Sequence, residues 1–100
     1  MAYKLLIVED EKEKATGIAY LTGKYNPECR PVLLAHDGRE GYEKATAEQP
    51  DIIVTDIRMP EMDGLEMIRE LKKAGCSAEF IVLSGYAEFS YCLLYTSDAA

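Results

Sequence analysis

Four side chains suited to oxygen chemistry stand directly after short apolar runs of this 100-residue chain. Glu9 and Asp10 follow Leu5-Leu6-Ile7-Val8, Asp56 follows Ile52-Ile53-Val54-Thr55, and Ser84 follows Phe80-Ile81-Val82-Leu83. Taken singly, each has a plain explanation: acids at a helix entrance, a turn residue, a solvated hydroxyl. Their recurrence at the ends of three strands points instead to one site. Carboxylates held within a few ångströms repel unless a proton or a cation relieves them. An all-oxygen acidic cluster suits a hard divalent ion, and Mg²⁺ commonly binds through one or two carboxylates plus water and phosphate oxygens. A bare nucleotide or flavin site does not fit, because Glu9-Asp10-Glu11 would repel a phosphate unless a metal stood between them.

The elements that must position these groups alternate in type. Tyr3–Val8 reads as a strand covered on both faces. The spacing of Ala15, Ile18, Thr22 and Tyr25 predicts a helix over 12–24, broken at Asn26-Pro27. A second strand is expected over 31–35 and a second helix over 39–48, with Tyr42 and Ala45 inward and Gln49-Pro50 ending it. A β-branched strand over 52–55 leads into a loop at 57–63. A third helix over 65–74 should bury Leu65, Ile68 and Leu71 and stop at Gly75, before a fourth strand over 80–83. This β-α-β-α-β-α-β order predicts an α/β fold, an open, doubly wound parallel sheet. In such sheets ligands bind beyond the carboxyl ends of the strands, where Glu9, Asp10, Asp56 and Ser84 fall.

Composition narrows the function class. Eighteen acids against eleven lysines and arginines give net −7, which argues against direct nucleic-acid binding. With 48% hydrophobic and 29% charged residues the chain reads as an ordinary cytoplasmic globular domain. Its longest early apolar run is too short for a membrane helix. Cys29, Cys76 and Cys92 lack the spacing of a zinc site and read as reduced thiols. His36 reads as a turn residue, Met62 and Met67 as packing, and Lys72-Lys73 as a helix C-terminus.

Three stretches, Ile7-Val8-Glu9-Asp10-Glu11, DIIVTDIRMPEMDG from Asp51 to Gly64, and IVLSG from Ile81 to Gly85, make the chain resemble the receiver domain of two-component response regulators. The resemblance runs from Tyr3 to Tyr91 and implies a flavodoxin-like receiver fold with strand order 2-1-3-4-5. It implies that Asp56 is the phosphoacceptor for a sensor histidine kinase. It also implies that Asp10 and Asp56 bind Mg²⁺ directly, that Glu9 assists through water, and that the backbone carbonyl of Arg58 adds an oxygen. Ser84 would hydrogen-bond a phosphoryl oxygen and pull its loop inward. Arg58, Gly85 and Tyr86 would tune phosphate lifetime, while Met59-Pro60 and Gly64 would shape the loop. TDIRMP with LSGYAEFSY looks most like receivers fused to AraC-type helix-turn-helix domains. That implies transcription regulation, with DNA met only through an absent output domain, and a homodimer formed on phosphorylation of the full-length protein.

The sequence departs from the family after Tyr91, where the rest of a helix, a fifth strand with its Lys-Pro pair and a fifth helix are expected. Residues 92–100, CLLYTSDAA, look like a translated sequencing adapter, so 1–91 is expected to be a truncated receiver and 92–100 a non-native tail. A chain lacking that strand and helix is expected to be marginally stable or aggregated and poorly phosphorylated. A stand-alone receiver acting by protein contact is the main alternative function. A haloacid dehalogenase-type phosphatase would need an acid where Arg58 stands, and a calcium loop fails on Pro60.

Overall fold

The structure, a computed structural model, describes residues 2–83. Its elements run β1 (Tyr3–Val8), α1 (Lys12–Tyr25), β2 (Cys29–Ala35), α2 (Gly38–Glu48), β3 (Ile52–Asp56), α3 (Gly64–Lys73) and β4 (Glu79–Leu83). All strand pairings are parallel, in the order β2-β1-β3-β4. This is the flavodoxin-like order that the receiver resemblance implies, as far as the fourth strand. Ser84, Gly85, Tyr86 and the 92–100 tail lie outside the described residues.

Strand alternation divides the core between the two faces of the sheet. Leu6, Val8 and Ile53 point to one side and pack with Met67, Ile68 and Leu71 of α3 and Ala45 of α2. Leu5, Ile7 and Val54 point to the other, against Ile18 and Ala19 of α1. Burial on both faces is why β1 reads as an unbroken apolar run rather than an alternating one. Gly41 lets α2 sit close to the sheet, since a Cβ there would stand 2.7 Å from Met67 Sδ and 2.9 Å from the Val8 methyls.

The helix ends are set by local chemistry. Asp37 and Asp63 each accept one of the first-turn backbone N–H groups that would otherwise lack a partner, from Glu40 and Glu66 respectively, both at 2.8 Å. Gly75 ends α3 at φ 88°, with its N–H on Lys72 O and that of Cys76 on Leu71 O, a glycine stop as expected.

Three local expectations need correction. Tyr25 is 68% exposed rather than inward, because it is the last residue of α1 and the buried stripe passes through Ala15, Ile18 and Ala19. Leu65 is only half-buried, its place in the core taken by Met67. β2 begins at Cys29, ahead of Pro31, with an irregular register between Tyr3 and Leu5 of β1. Proline is tolerated because β2 is an edge strand. Leu71 is fully buried, so Leu71→Ala is expected to cost about 2–5 kcal/mol. Leu21 on α1 is 52% exposed, so Leu21→Ala should cost under about 0.5 kcal/mol. Urea unfolding of both variants checks this, and equal losses would contradict the assigned core.

Candidate functional site

The parallel register builds the site. Val8 pairs with Thr55, so the next residues, Glu9 and Asp56, leave adjacent strands side by side. Asp10 follows directly, and one carboxylate oxygen from each of Glu9, Asp10 and Asp56 lies within 4.8 Å of the others. Asp56 in turn pairs with Leu83, the residue before Ser84. The side chain of Ser84 itself lies outside the described residues, and exposed Arg58 sits on the loop after β3.

The three carboxylates occupy different surroundings. Glu9 is 1% exposed; its Oε2 accepts the N–H of Glu11 at 3.1 Å, while Oε1 is buried with no hydrogen-bond partner. Asp10 is exposed and Asp56 half-buried. Asp56 Oδ1 accepts the N–H of Ile57 at 2.7 Å, which leaves Oδ2 facing the shared space. Burial pushes the Glu9 carboxyl above its ordinary range; Asp10 and Asp56 add to the rise, while the Glu11 N–H and Lys14 oppose it.

Sequence reasoning missed Lys14. Its ammonium stands 3.6 Å from both Glu9 Oε1 and Asp56 Oδ2. Partial burial works against its charge, but the attraction of Glu9 and then Asp56 outweighs it, and the pKa rises. The sequence offered little signal: a lysine in the first turn of a helix opposes the helix dipole, but Lys12 shares that position.

The residues fit a hard divalent ion. The donors are all oxygen, one is a buried acceptor without a hydrogen-bond partner, and three carboxylates against one ammonium leave excess negative charge. Two oxygens bonded to one Mg²⁺ stand at most about 4.2 Å apart, so the spread suits direct bonds from some acids and a water-bridged contact from another.

The loop from β3 to α3 is drawn back onto the site by glycine. Gly64 donates to Ile57 O at 2.8 Å, and a Cβ on it would stand 2.0 Å from Asp56 O. Glu61 adopts a left-handed φ of 72° in the same loop, and a Cβ on Gly38 would meet Met62 O at 1.9 Å. Gly64→Ala must therefore displace the Asp56 backbone. It is expected to destabilise the fold by about 1–3 kcal/mol and to weaken Mg²⁺ binding, as calorimetric titration would show.

The raised Glu9 pKa has a definite sign. Its contribution to stability is complete below the unfolded glutamate pKa and is lost as pH rises through the folded value. Without divalent ion, Glu9→Gln should abolish that loss and raise the melting temperature near neutral pH. Melting curves between about pH 4 and 8 test it, and an unchanged pH profile in the variant would refute it.

Comparison with known proteins adds a second line. The family model described as "Response regulator receiver domain" matches residues 5–97, running past the expected boundary at Tyr91. The chain is 40% identical over 89 residues to the uncharacterized transcriptional regulatory protein YesN of Bacillus subtilis, covering 89% of this chain and 24% of that protein. Among solved structures, a response regulator receiver domain protein from Clostridium thermocellum superposes with a TM-score of 0.86 at 27% identity, covering 100% of this chain and 78% of that one. A two component transcriptional regulator AraC from Clostridium phytofermentans gives 0.78 at 33% identity, covering 90% and 73%. The chain thus spans about a quarter of the length of that curated relative.

Proposed function

The chain belongs to the response regulator receiver domain family, and from that premise we propose that it accepts a phosphoryl group onto Asp56 from the phosphohistidine of a sensor histidine kinase. The observation that carries this reading is the meeting of Glu9, Asp10 and Asp56 at the ends of two paired strands. Asp56 Oδ2 attacks phosphorus as the phosphorus–nitrogen bond to the imidazole breaks, giving an aspartyl phosphate and a histidine that recovers its proton. Ile57 N–H holds the other oxygen of Asp56 and fixes the attacking geometry. In this proposal Asp10 and Asp56 hold Mg²⁺ directly, Glu9 through water, and the Arg58 carbonyl adds a further oxygen. When bound, Mg²⁺ offsets charge on the transferring phosphoryl oxygens.

Ser84 donates a hydrogen bond to the phosphoryl group and draws the segment after β4 inward, biasing a two-state surface. The chain then acts as a phosphoacceptor that assists its own phosphorylation and dephosphorylation, a switch rather than a metabolic enzyme. The names of its relatives support transcription regulation by a longer protein. DNA bound by a separate output domain and a homodimer favoured by phosphorylation are further parts of the proposal. Among the described residues no helix is long and apolar enough to cross a membrane, and the proposed setting is the cytoplasm. A native portion of 1–91 with a 92–100 tail is part of the proposal, and genomic DNA beyond the Tyr91 codon tests it.

Incubation with acetyl phosphate and Mg²⁺ should label the native chain. Asp56→Asn or removal of Mg²⁺ should abolish the label, with no turnover of phosphate esters by either protein. Full labelling of Asp56→Asn would overturn the assignment, and sustained ester hydrolysis would favour a phosphatase.

A further inference from the structure

Lys14 is the third residue of α1, where the helix dipole disfavours a cation, yet its ammonium reaches across to two strands. It stands 3.6 Å from Glu9 Oε1, the buried oxygen with no hydrogen-bond partner, and 3.6 Å from Asp56 Oδ2. Both contacts exceed hydrogen-bond length, so the lysine neutralises charge without filling the coordination needs of either oxygen. An ion bonded at about 2.1 Å to Asp56 Oδ2 would lie within about 6 Å of the ammonium, well inside the screening length at physiological salt. The side chain is also 46% exposed, and its flexible four-carbon stem has a route to solvent.

We propose that Lys14 is a tethered counter-ion that competes with a divalent cation for the Glu9 and Asp56 carboxylates, so that metal loading requires its ammonium to swing outward. This rests on the Mg²⁺ site of the proposed function and adds to it a residue that sets the metal concentration at which the site fills. The lysine holds the acids together when no divalent ion is bound and yields its place when one arrives.

Mg²⁺ alone, titrated calorimetrically into the full chain, tests this. Lys14→Gln should bind Mg²⁺ about 3–10-fold more tightly than the native chain, while Lys14→Arg, which keeps the charge, should bind within about twofold of it. Lys14→Met, which keeps the aliphatic stem, should match Lys14→Gln and serves if that variant does not fold. Without Mg²⁺ the neutral variants should melt below the native chain; at saturating Mg²⁺ that deficit should vanish. A lysine with a merely structural role would lower both melting temperatures alike. Equal or weaker Mg²⁺ binding by the neutral variants, or a deficit that persists in Mg²⁺, overturns the role of Lys14 alone. Failure of the native chain and every variant to bind Mg²⁺ overturns the metal reading itself, and the Lys14 proposal with it.

Discussion

Everything at the acidic site depends on keeping like charges together against their mutual repulsion. No contact among the acids does this. The sheet does: the ladder from Leu5–Ile52 to Val8–Thr55 fixes where Glu9 and Asp56 emerge, and the buried Leu6, Val8 and Ile53 hold the ladder in place. A slip of one residue would turn each apolar side chain of β1 to the opposite face, so the register that protects the core also protects the site. Hydrophobic burial therefore maintains an electrostatic arrangement that would not persist by itself.

The environments of the acids differ in a way that divides their work. Glu9 lies deepest, carries a raised pKa and also holds the Glu11 N–H at the entrance to α1. Asp56 has one oxygen tied to the backbone and the other facing Lys14 in the shared space. Asp10 is the most open of the three. Glu9 thus stands both at the helix entrance and in the acidic cluster, which is why a purely local explanation of the Glu9-Asp10-Glu11 run accounts for part of its placement.

Much of this was legible in the residue order. The run ending at Val8 is apolar because both faces are covered, and β1 has the ends that hydropathy indicates. Asp37, Asp63 and Gly75 mark helix ends through chemistry that operates within a few residues. Tyr25 misleads because periodicity reports a face but not where the sheet beneath it stops. The contact of Lys14 with Asp56 joins groups distant in sequence, and only the assembled sheet brings them together. The expectation for Ser84 rests on the same strand-end pattern as that for Asp56; the described pairing ends at Asp56–Leu83, and Ser84 lies outside the described residues.

The loop between β3 and α3 is pinned at two points: Gly64 lies on the Asp56 carbonyl, and Met62 lies against Gly38. A segment clamped at both places has essentially no slack, so its length is as constrained as its composition. An added or deleted residue between Asp56 and Gly64 would have to unseat α3 from the sheet or α2 from the loop. The link from Asn26 to Glu28 is exposed and outside the site, held by backbone hydrogen bonds such as Tyr3 N–H to Glu28 O rather than by glycine contacts. Length variation among homologous chains should accordingly gather at that link and avoid the 57–63 loop.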